Sequence, residues 1–328
     1  MPQPNVKDLI VAGPLLDVSI AYRNTAYIGD RVFRIIDTSD PKSKIARYLK
    51  GAWFRDEAGI RGPGSRAPRG GYPVDMLDIL TKEYAFAKEV TDEDRRFSKS
   101  TGAPPLQPDQ DAISFASDKI DLKKEVRVAS LVKASTWSSQ SAGGEDAAGL
   151  WAPNDNTNTF ISDVLARIET IRSATGLRPN VLVMDYGTYN ALKKVDALLD
   201  RIRYTQRGVL TADLIAAIFD LEEVLLGEAI VSTAKETKAG TDSTASNVWE
   251  ENAGKGMGFL FYRPPAPGLR MPASGYQIRL RYEDGKVRRI TPLREEAEHQ
   301  DVYEVAEETD IVATGIDLGF MWKDTLLT

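Results

Sequence analysis

Residues 59–71 form a stretch that a compact core cannot accommodate. They include five glycines, two prolines and three arginines, and glycine and proline interrupt helices and strands while cations resist burial. Two β-like runs come before this stretch, Arg31 to Thr38 and Lys44 to Asp56, with the turn-forming Ser39-Asp40-Pro41 between them. The pattern predicts a long protruding hairpin, with the glycine-rich stretch as the flexible base of its loop.

The residues on either side of this hairpin predict an arm and two helices. The first thirty residues mix short apolar pieces with prolines and a glycine, which is typical of an arm lying on another surface. From Pro73 to Lys99, apolar side chains spaced by three and four predict a helix. A second helix is predicted from Asp111 to Lys133, with an apolar stripe of Phe115, Leu122, Val126 and Ala129. At ~1.5 Å per residue, this second helix would run about 35 Å.

Beyond residue 152 the pattern alternates between helices and strands. Pro153-Asn154-Asp155-Asn156 marks a domain boundary. The second lobe is predicted to contain helices over Thr159–Ala174, Tyr186–Tyr204 and Ala212–Phe219, and short strands over Val181–Met184, Val224–Leu226 and Gly258–Tyr262. Four later β runs are predicted to pair back with the first lobe: Tyr276–Tyr282, Lys286–Pro292, Tyr303–Glu308 and Ile311–Phe320.

The composition fits a globular protein of two lobes and excludes several kinds of reactive centre. The chain has 328 residues, of which 42% are apolar, and domains cluster near about 100 to 200 residues. No apolar stretch approaches the roughly 18 residues of a membrane helix. The N-terminus lacks a secretory signal pattern, so the protein is expected in the cytoplasm. With no cysteine and His299 as the single histidine, disulfides, thiolate metal sites, cysteine nucleophiles and multi-histidine metal sites are excluded.

Charge is distributed unevenly along the chain. The formal net charge is −6, whereas proteins that coat nucleic acid by neutralising phosphates are usually strongly basic. Any DNA is therefore expected to be enclosed by the protein and not tightly bound to it. Residues 1–72 hold twelve Lys/Arg and seven Asp/Glu, a net charge of +5, so the remaining residues carry −11. An extended basic segment is expected to lie across an acidic neighbouring copy.

Phosphate-binding motifs fail on spacing. Gly254-Lys255 is followed by Gly256 where a P-loop needs Ser or Thr, and Trp249 stands at the position of its first glycine. The glycine run continues to Gly258 but departs from dinucleotide-loop spacing, and no strand-to-helix pattern surrounds it. A simple loop is the better interpretation.

Catalytic motifs also fail. Two SxxK strings, Ser39 to Lys42 and Ser130 to Lys133, lack the partner motifs of serine acyl-enzymes. His299 lies in an acidic loop, and no GxSxG elbow occurs, so it is interpreted as a solvated surface residue. Acidic runs at 92–94 and 295–298 could bind a divalent cation, but solvated helix ends and loops are their usual role.

One group of hairpin residues combines cations with aromatic rings: Arg47, Tyr48, Lys50, Trp53, Phe54 and Arg55. Such a group can stack on nucleic-acid bases or form the centre and rim of a protein interface. The negative net charge of the chain favours the interface, so these residues are candidate inter-subunit contacts.

Several pieces of the sequence carry a resemblance to a known family. The first are AYIGDRVFRIIDTSDPKSKIARYLKGAWFRDE at 26–57 and YPVDMLDILTKEYAFAKEVTDEDR at 72–95. The later ones are VLVMDYGTYNALK at 181–193, LLDRIRYTQRGVLTADLIAAIF at 198–219, GFLFYRPPAPGLRMPASGYQIRL at 258–280 and VATGIDLGFMWKD at 312–324. Over nearly its full length the chain resembles tailed-phage major capsid proteins with the Hong Kong 97-like fold.

The resemblance implies an α+β fold in five consecutive parts. These are an N-terminal arm (1–27), an extended hairpin loop (28–72), a peripheral domain with a long spine helix (73–152), an α/β axial domain (153–285) and a return to the peripheral domain (286–328). Residues 72–95 resemble the short helix after the hairpin loop. Residues 312–324 resemble the last peripheral strand.

The resemblance also implies a structural role and no enzymatic one. It implies self-assembly as pentamers and hexamers into an icosahedral phage head around double-stranded DNA, with no cofactor, no metal and no membrane. Arg203, Tyr204 and Arg207 of the RIRYTQRG piece join the candidate inter-subunit contacts. The implied partners are other copies, a portal protein, a decoration protein in some members and, because nothing precedes the arm, a separate scaffold protein. The implied location is the virion, after assembly in the bacterial cytoplasm.

Two alternatives remain at this point. An encapsulin-type bacterial compartment has the same fold and would enclose an enzyme instead of a genome. An α/β hydrolase or transferase built on the 181–226 region is a poorer match, because the chain has one histidine, no cysteine and no phosphate loop.

Overall fold

The computed structural model of the protein describes residues 24, 26–99, 107–152, 158–202, 210–234, 245–268 and 270–326. The helices in this part of the chain are α1 Gly29–Val32, α2 Lys50–Trp53, α3 Asp92–Ser98, α4 Pro108–Ala134, α5 Phe160–Thr175, α6 Tyr186–Leu192, α7 Asp196–Ile202 and α8 Ala212–Phe219. The strands are β1 Arg34–Thr38, β2 Lys42–Tyr48, β3 Val74–Leu80, β4 Lys82–Thr91, β5 Glu145–Asp146, β6 Val181–Asp185, β7 Glu223–Gly227, β8 Ile230–Ser232, β9 Ala245–Asn247, β10 Met257–Phe261, β11 Gly275–Leu280, β12 Arg288–Glu295, β13 Gln300–Ala313 and β14 Gly319–Lys323.

The first of two large sheets is built around β13. Strand β4 pairs antiparallel with it along one side, and β12 pairs antiparallel along the other. The last residues of β13 pair with β11, which pairs in parallel with β1. The sheet therefore joins chain segments that are more than 200 residues apart in sequence.

The long helix α4 covers one face of this sheet. Ala116 and Ile120 pack against Val305 of β13, and the Arg127 guanidinium lies 3.7 Å from the centroid of the Tyr84 ring on β4. The helix predicted from Asp111 to Lys133 is confirmed, with bounds close to those expected. Its predicted apolar stripe is only partly right: Ala129 is buried, whereas the Phe115 side chain is 45% exposed.

The second large sheet has strand order β5-β14-β10-β6-β7. Because strand side chains alternate between faces, each central strand contributes to both sides of a buried layer. Leu182 and Met184 of β6 join the cluster formed with α5, α6 and α8. Val181 and Val183 of the same strand join the opposite cluster, which includes Val128 and Val132 at the end of α4 and the fully buried Trp249. Helix α4 thus packs on both sheets.

The helix predicted from Pro73 to Lys99 is wrong. The chain forms β3 and β4 there, joined by Thr81, and is helical only in α3. Alternate residues of β4 face α4: Tyr84 stacks on Arg127, and the Phe86 ring centroid lies 5.8 Å from that of Phe115. The spacing of the apolar residues fits both the period of a helix and the period of a strand. Pairing of β4 with β13 decides for the strand. The resemblance of residues 72–95 to a helix holds only for their last part.

The predicted pairing of the hairpin is also wrong. Arg34–Thr38 pairs with β11 and belongs to the first sheet, so Ser39-Asp40-Pro41 connects two strands that are not partners. The hairpin is formed by β2 and β3, from Lys42↔Leu80 to Tyr48↔Val74. Residues 59–71 consequently belong to the loop between these strands and are not at its base.

One strand lies in the other sheet from the one expected. Strand β14 pairs with β10 in the second sheet, where Phe320 and Trp322 are buried on one face and Met321 on the other. The expected return of residues 312–324 to the first lobe is therefore wrong for this strand. The predicted pairing of Tyr276–Tyr282 with the first lobe is confirmed, because β11 pairs with β1 and β13. The range 153–285 implied by the resemblance had included these residues in the axial domain.

The remaining predictions for the second lobe are largely confirmed. Helices α5 and α8 and strands β6, β7 and β10 lie within one or two residues of their predicted bounds. The helix predicted from Tyr186 to Tyr204 is instead two helices, α6 and α7, separated by residues 193–195. Tyr204 lies outside the described residues.

Candidate assembly surface

The hairpin of β2 and β3 rests on the first sheet through one face. Ile79 is 2% exposed and packs with Tyr276 and Ile278 of β11, and Ile45 is partly buried beside them. Two ion pairs cross the hairpin, Lys44–Asp78 at 3.0 Å and Arg47–Asp75 at 2.5 Å. These pairs lie at register-matched positions but are solvent-exposed, so they fix the register more than they add stability.

The other face of the hairpin is exposed and carries apolar side chains beside the Lys44–Asp78 ion pair. Val74, Met76 and Leu80 are 40%, 55% and 55% exposed, and they alternate with the residues that face inward. An exposed apolar face of this kind marks a surface for association. The sequence prediction missed it because this segment was interpreted as a helix, although the alternation in VDMLDIL was the available signal.

Three aromatic rings meet where the strands open into the loop. The Tyr48 ring centroid lies 6.1 Å from Trp53 and 5.6 Å from Tyr72, and the Trp53 and Tyr72 centroids are 5.6 Å apart. Trp53 and Tyr72 are about half exposed, at 52% and 54%. Covering such half-exposed rings on association would contribute roughly 1–2 kcal/mol per ring.

Several other predicted contact residues lie beside this cluster. Lys50 makes an ion pair of 2.5 Å with Asp317. The Phe54 ring lies against Gly176 at the end of α5, where an added Cβ would be 3.8 Å from its Cζ. Arg55 is exposed and lies 3.8 Å from Glu57.

The structure thus brings together one of the two predicted groups of contact residues. The residues at the start of the loop form one surface: Arg47, Tyr48, Lys50, Trp53, Phe54 and Arg55. The other group, Arg203, Tyr204 and Arg207, lies outside the described residues and stays a prediction.

The loop itself is exposed along its outer part. Every residue from 53 to 76 is exposed, and Ile60 is 103% exposed. Between β2 and β3 the loop carries five Lys/Arg and two Asp/Glu, a net charge of +3. The loop therefore presents a basic surface with one large apolar side chain at its centre.

The acidic runs form ion pairs at the far end of the first sheet. Asp92 accepts from Arg294 at 2.8 and 2.9 Å, and this hydrogen bonding lowers the pKa of Asp92 to about 2. Arg95 pairs with Asp109 at 2.7 Å and with Asp301 at 2.5 Å. These contacts tie α3 and the start of α4 to the end of the sheet.

Two buried carboxylates hold segments together. Glu125 of α4 is 1% exposed and accepts from the backbone N–H of Gly29 at 2.6 Å and from Trp249 Nε1 at 2.5 Å. Asp185 at the end of β6 is 2% exposed and accepts from the backbone N–H of Thr188 and of Met257. Burial raises the pKa of both carboxyls, with the hydrogen bonds opposing that shift. Their inaccessibility fits a structural role.

The residues considered for catalysis have structural surroundings. Lys133 donates to the carbonyls of Val248 and Glu250, at 3.4 and 3.0 Å. Gly254 donates its backbone N–H to the Glu250 carboxylate within a turn. His299 is exposed, as predicted. In the part of the chain that the structure describes, no group of three His, Asp or Glu side chains is arranged to hold a metal ion, and no helix has both the length and the apolar character needed to cross a bilayer.

Comparison with known proteins identifies the kind of molecule. No protein-family model matches the chain. The major capsid protein of Burkholderia phage BcepMu is 27% identical over 299 residues, covering 85% of this chain and 89% of the relative. Among solved structures, the capsid of cyanophage P-SCSP1u is 13% identical, has a TM-score of 0.64, and matches over 98% of this chain and 95% of its own. The function that these comparisons support is that of a phage major capsid protein. Its fold is the mixed α+β fold of phage capsid structures.

Two further solved structures share this fold. A phage-related protein from Bordetella bronchiseptica RB50 is 20% identical with a TM-score of 0.65, over 94% of this chain and 95% of that one. The SrpI encapsulin of Synechococcus elongatus is 11% identical with a TM-score of 0.54, over 100% of this chain and 98% of its own. The encapsulin alternative is not favoured, because the curated relative and the structures with higher TM-scores in this set are phage proteins. As a capsid protein, the chain has a structural role and is a component of the virion.

Proposed function

We propose that this capsid protein assembles as pentamers and hexamers into an icosahedral head that encloses double-stranded DNA, and that its fold is the Hong Kong 97-like one. The observation that carries the proposal is the hairpin of β2 and β3. It has exposed apolar side chains, half-exposed aromatic rings and a basic loop, on a body with two large buried cores. A lone globular protein gains nothing from such a projection, whereas a shell subunit uses it to reach a neighbour.

The proposed organisation keeps the five parts expected from the sequence. It differs in which strands belong to the hairpin and to each sheet. The hairpin extends to Leu80, since β3 supplies its second strand. The first sheet with α4 corresponds to the peripheral domain. The second sheet with α5 to α8 corresponds to the axial domain, and β14 is added to it. The arm and the exact division between domains remain proposals.

Assembly on this proposal is driven by many modest contacts. Each subunit repeats the same interfaces over a closed lattice, and contacts made by one bound neighbour raise the effective concentration of the next. The basic hairpin loop, at +3, lies against the acidic remainder of a neighbouring copy. No single side chain needs to be indispensable, and the protein needs no cofactor and no catalytic centre.

The proposed partners follow from this role. A separate scaffold protein directs assembly, a portal protein occupies one vertex, and a decoration protein can bind the outer surface. The negative net charge favours DNA that is contained without sequence-specific binding, because a surface that neutralised phosphates would hinder packaging and release. Assembly takes place in the cytoplasm of the bacterial host.

Substitution at the start of the loop tests the proposal. Trp53→Ala combined with Arg55→Glu should leave a soluble, folded subunit, because Trp53 is 52% exposed and Arg55 is exposed in the isolated chain. The same variant should yield far fewer intact particles by electron microscopy and sedimentation. Trp53→Phe with Arg55→Lys is the matched control, since it keeps a ring and a cation, and it should assemble normally. Equally abundant and equally heat-stable particles from the first variant would contradict the proposal.

A further inference from the structure

An apolar groove lies between α3, the start of α4 and β4. It has a volume of about 300 Å³, and its apolar lining includes Val90, Phe97, Ala112 and Phe115. Phe97 and Phe115 remain 59% and 45% exposed. Two large half-exposed rings beside a cavity of this size form a receptacle for one aliphatic side chain.

Carboxylates surround this groove. Glu89, Asp94 and Asp111 line it together with one cation, Lys88, which gives the rim a net charge of −2. Residues 55–71 of the hairpin loop carry four arginines and two acidic residues, a net charge of +2. The groove and the outer loop therefore have opposite charges of equal size.

The outer loop presents one residue that matches the groove. Ile60 is 103% exposed, so nothing in the described part of the chain covers it. It is the only large aliphatic side chain between Arg55 and Gly71, and Arg61 follows it directly. A fully exposed isoleucine flanked by a cation complements an apolar cavity flanked by carboxylates.

We propose that Ile60 of one subunit inserts into the groove of Phe97 and Phe115 on a second copy, with the loop arginines facing Glu89, Asp94 and Asp111. The inference rests on the proposed shell assembly and names the contact that the hairpin tip makes. Ile60 and the groove are different surfaces of the same chain, so the contact is heterologous. Each subunit donates one tip and receives one, which is the kind of contact that closes into rings.

Cysteine cross-linking tests this contact directly, because the chain contains no cysteine of its own. The double variant Ile60→Cys/Phe97→Cys, assembled into particles and oxidised, should give a ladder of disulfide-linked multimers on non-reducing gels. The matched control is Ile60→Cys/Leu293→Cys, because Leu293 is 57% exposed, close to the 59% of Phe97, but does not line the groove. The control should remain largely monomeric under the same oxidation.

The outcomes separate this inference from the proposed function. Intact particles of the Ile60→Cys/Phe97→Cys variant that give no ladder, or an equal ladder in the Leu293→Cys control, would overturn the groove contact and leave shell assembly standing. A wild-type chain that forms no particles even with its scaffold partner would overturn both the groove contact and the proposed shell assembly.

A second measurement does not depend on cross-linking. Ile60→Asp should raise the subunit concentration needed for assembly about tenfold, since it removes an apolar contact and adds an anion opposite carboxylates. Ile60→Val should change that concentration by about threefold or less. The isolated subunits of both variants should unfold like the wild type, because Ile60 is fully exposed there. Assembly of Ile60→Asp at wild-type concentration would contradict the proposal.

Discussion

Glu125 shows how a single side chain can tie three segments of this capsid protein together. Its carboxylate lies on α4 and accepts from the backbone of Ile28 and Gly29 before β1 and from the indole of Trp249 near the second sheet. All three donors are N–H groups whose acceptor is this one carboxylate. The arrangement fixes the position of Ile28 and Gly29 relative to α4 and the second sheet.

Removing this carboxylate should be costly. Glu125→Ala leaves buried donors without an acceptor, and each such group costs about 1–3 kcal/mol. We expect the free energy of unfolding to fall by about 3 kcal/mol or more, measured by urea denaturation of the unassembled subunit. Glu251→Ala, an exposed neighbour of Trp249, is the control and should change it by less than about 0.5 kcal/mol. Equal effects of the two substitutions would contradict this role for Glu125.

The same carboxyl should make stability depend on pH. Burial raises the pKa of Glu125 above its ordinary value of 4.5, so the folded chain binds this proton more tightly than the unfolded chain. The resulting stabilisation is fully present below the unfolded pKa and is lost as pH rises through the folded pKa. The unfolding free energy of the wild type minus that of Glu125→Gln should therefore fall as pH rises from about 4.5. Denaturation of both proteins at a series of pH values measures this difference, and a rise with pH would show that the carboxylate form is the favoured one.

At the scale of elements, α4 makes the two sheets one cooperative unit. Its first half packs on the first sheet through Ile120, and its second half packs on the second sheet through Val128 and Val132. A helix buried against both sheets transmits loss of packing from one to the other. The two lobes expected from the sequence are therefore not expected to unfold separately.

A substitution in the first half of α4 should be detected in the second lobe. Ile120→Ala should cost about 2–4 kcal/mol, because the residue is 5% exposed in a packed cluster. Trp137, Trp151, Trp249 and Trp322 are all fully buried with the second sheet, so their fluorescence reports on that lobe. The fluorescence and circular dichroism midpoints should shift together in urea. A circular dichroism midpoint that shifts alone would show that the lobes unfold independently. Lys123→Ala, on the exposed side of α4, is the control and should shift neither midpoint.

The sequence predicts which segments form helices and strands better than it predicts which strands pair with one another. The strand Val181–Asp185 is a short apolar run buried on both faces, and the helix Ala212–Phe219 follows Thr211, which caps it, so both have local signals in the sequence. The segment 73–99 fits the periods of both helix and strand, and pairing decides for strand: β3 pairs with β2, and β4 pairs with β13, more than 200 residues away. The same long-range pairing places β1 beside β11 and not beside β2. For the candidate surface, residue type identified the aromatic and basic group at the start of the loop, whereas the groove of Phe97 and Phe115 is formed only when α3, α4 and β4 meet.

At the scale of the whole molecule, two electrostatic effects act in opposite directions. Subunits of net charge −6 repel one another, and added salt screens that repulsion and favours association. The basic loop attracts an acidic neighbour at short range, and added salt weakens that attraction. The salt dependence of the wild type alone mixes the two effects, so only a comparison of variants with equal net charge separates them.

The comparison uses two triple variants. Arg61→Gln/Arg66→Gln/Arg69→Gln removes three exposed cations from the loop, and Lys123→Gln/Arg172→Gln/Lys286→Gln removes three exposed cations from the body. Both reach the same net charge, so their general repulsion is matched. Exposed ion pairs contribute about 0.2–1 kcal/mol each, so the loop variant should need a several-fold higher concentration to assemble than the body variant at about 0.1 M salt. Near 1 M salt the screening length falls to about 3 Å, and the two variants should then assemble at similar concentrations, as measured by light scattering. A gap that stays constant with salt would mean that the loop arginines act through shape and packing and not through charge.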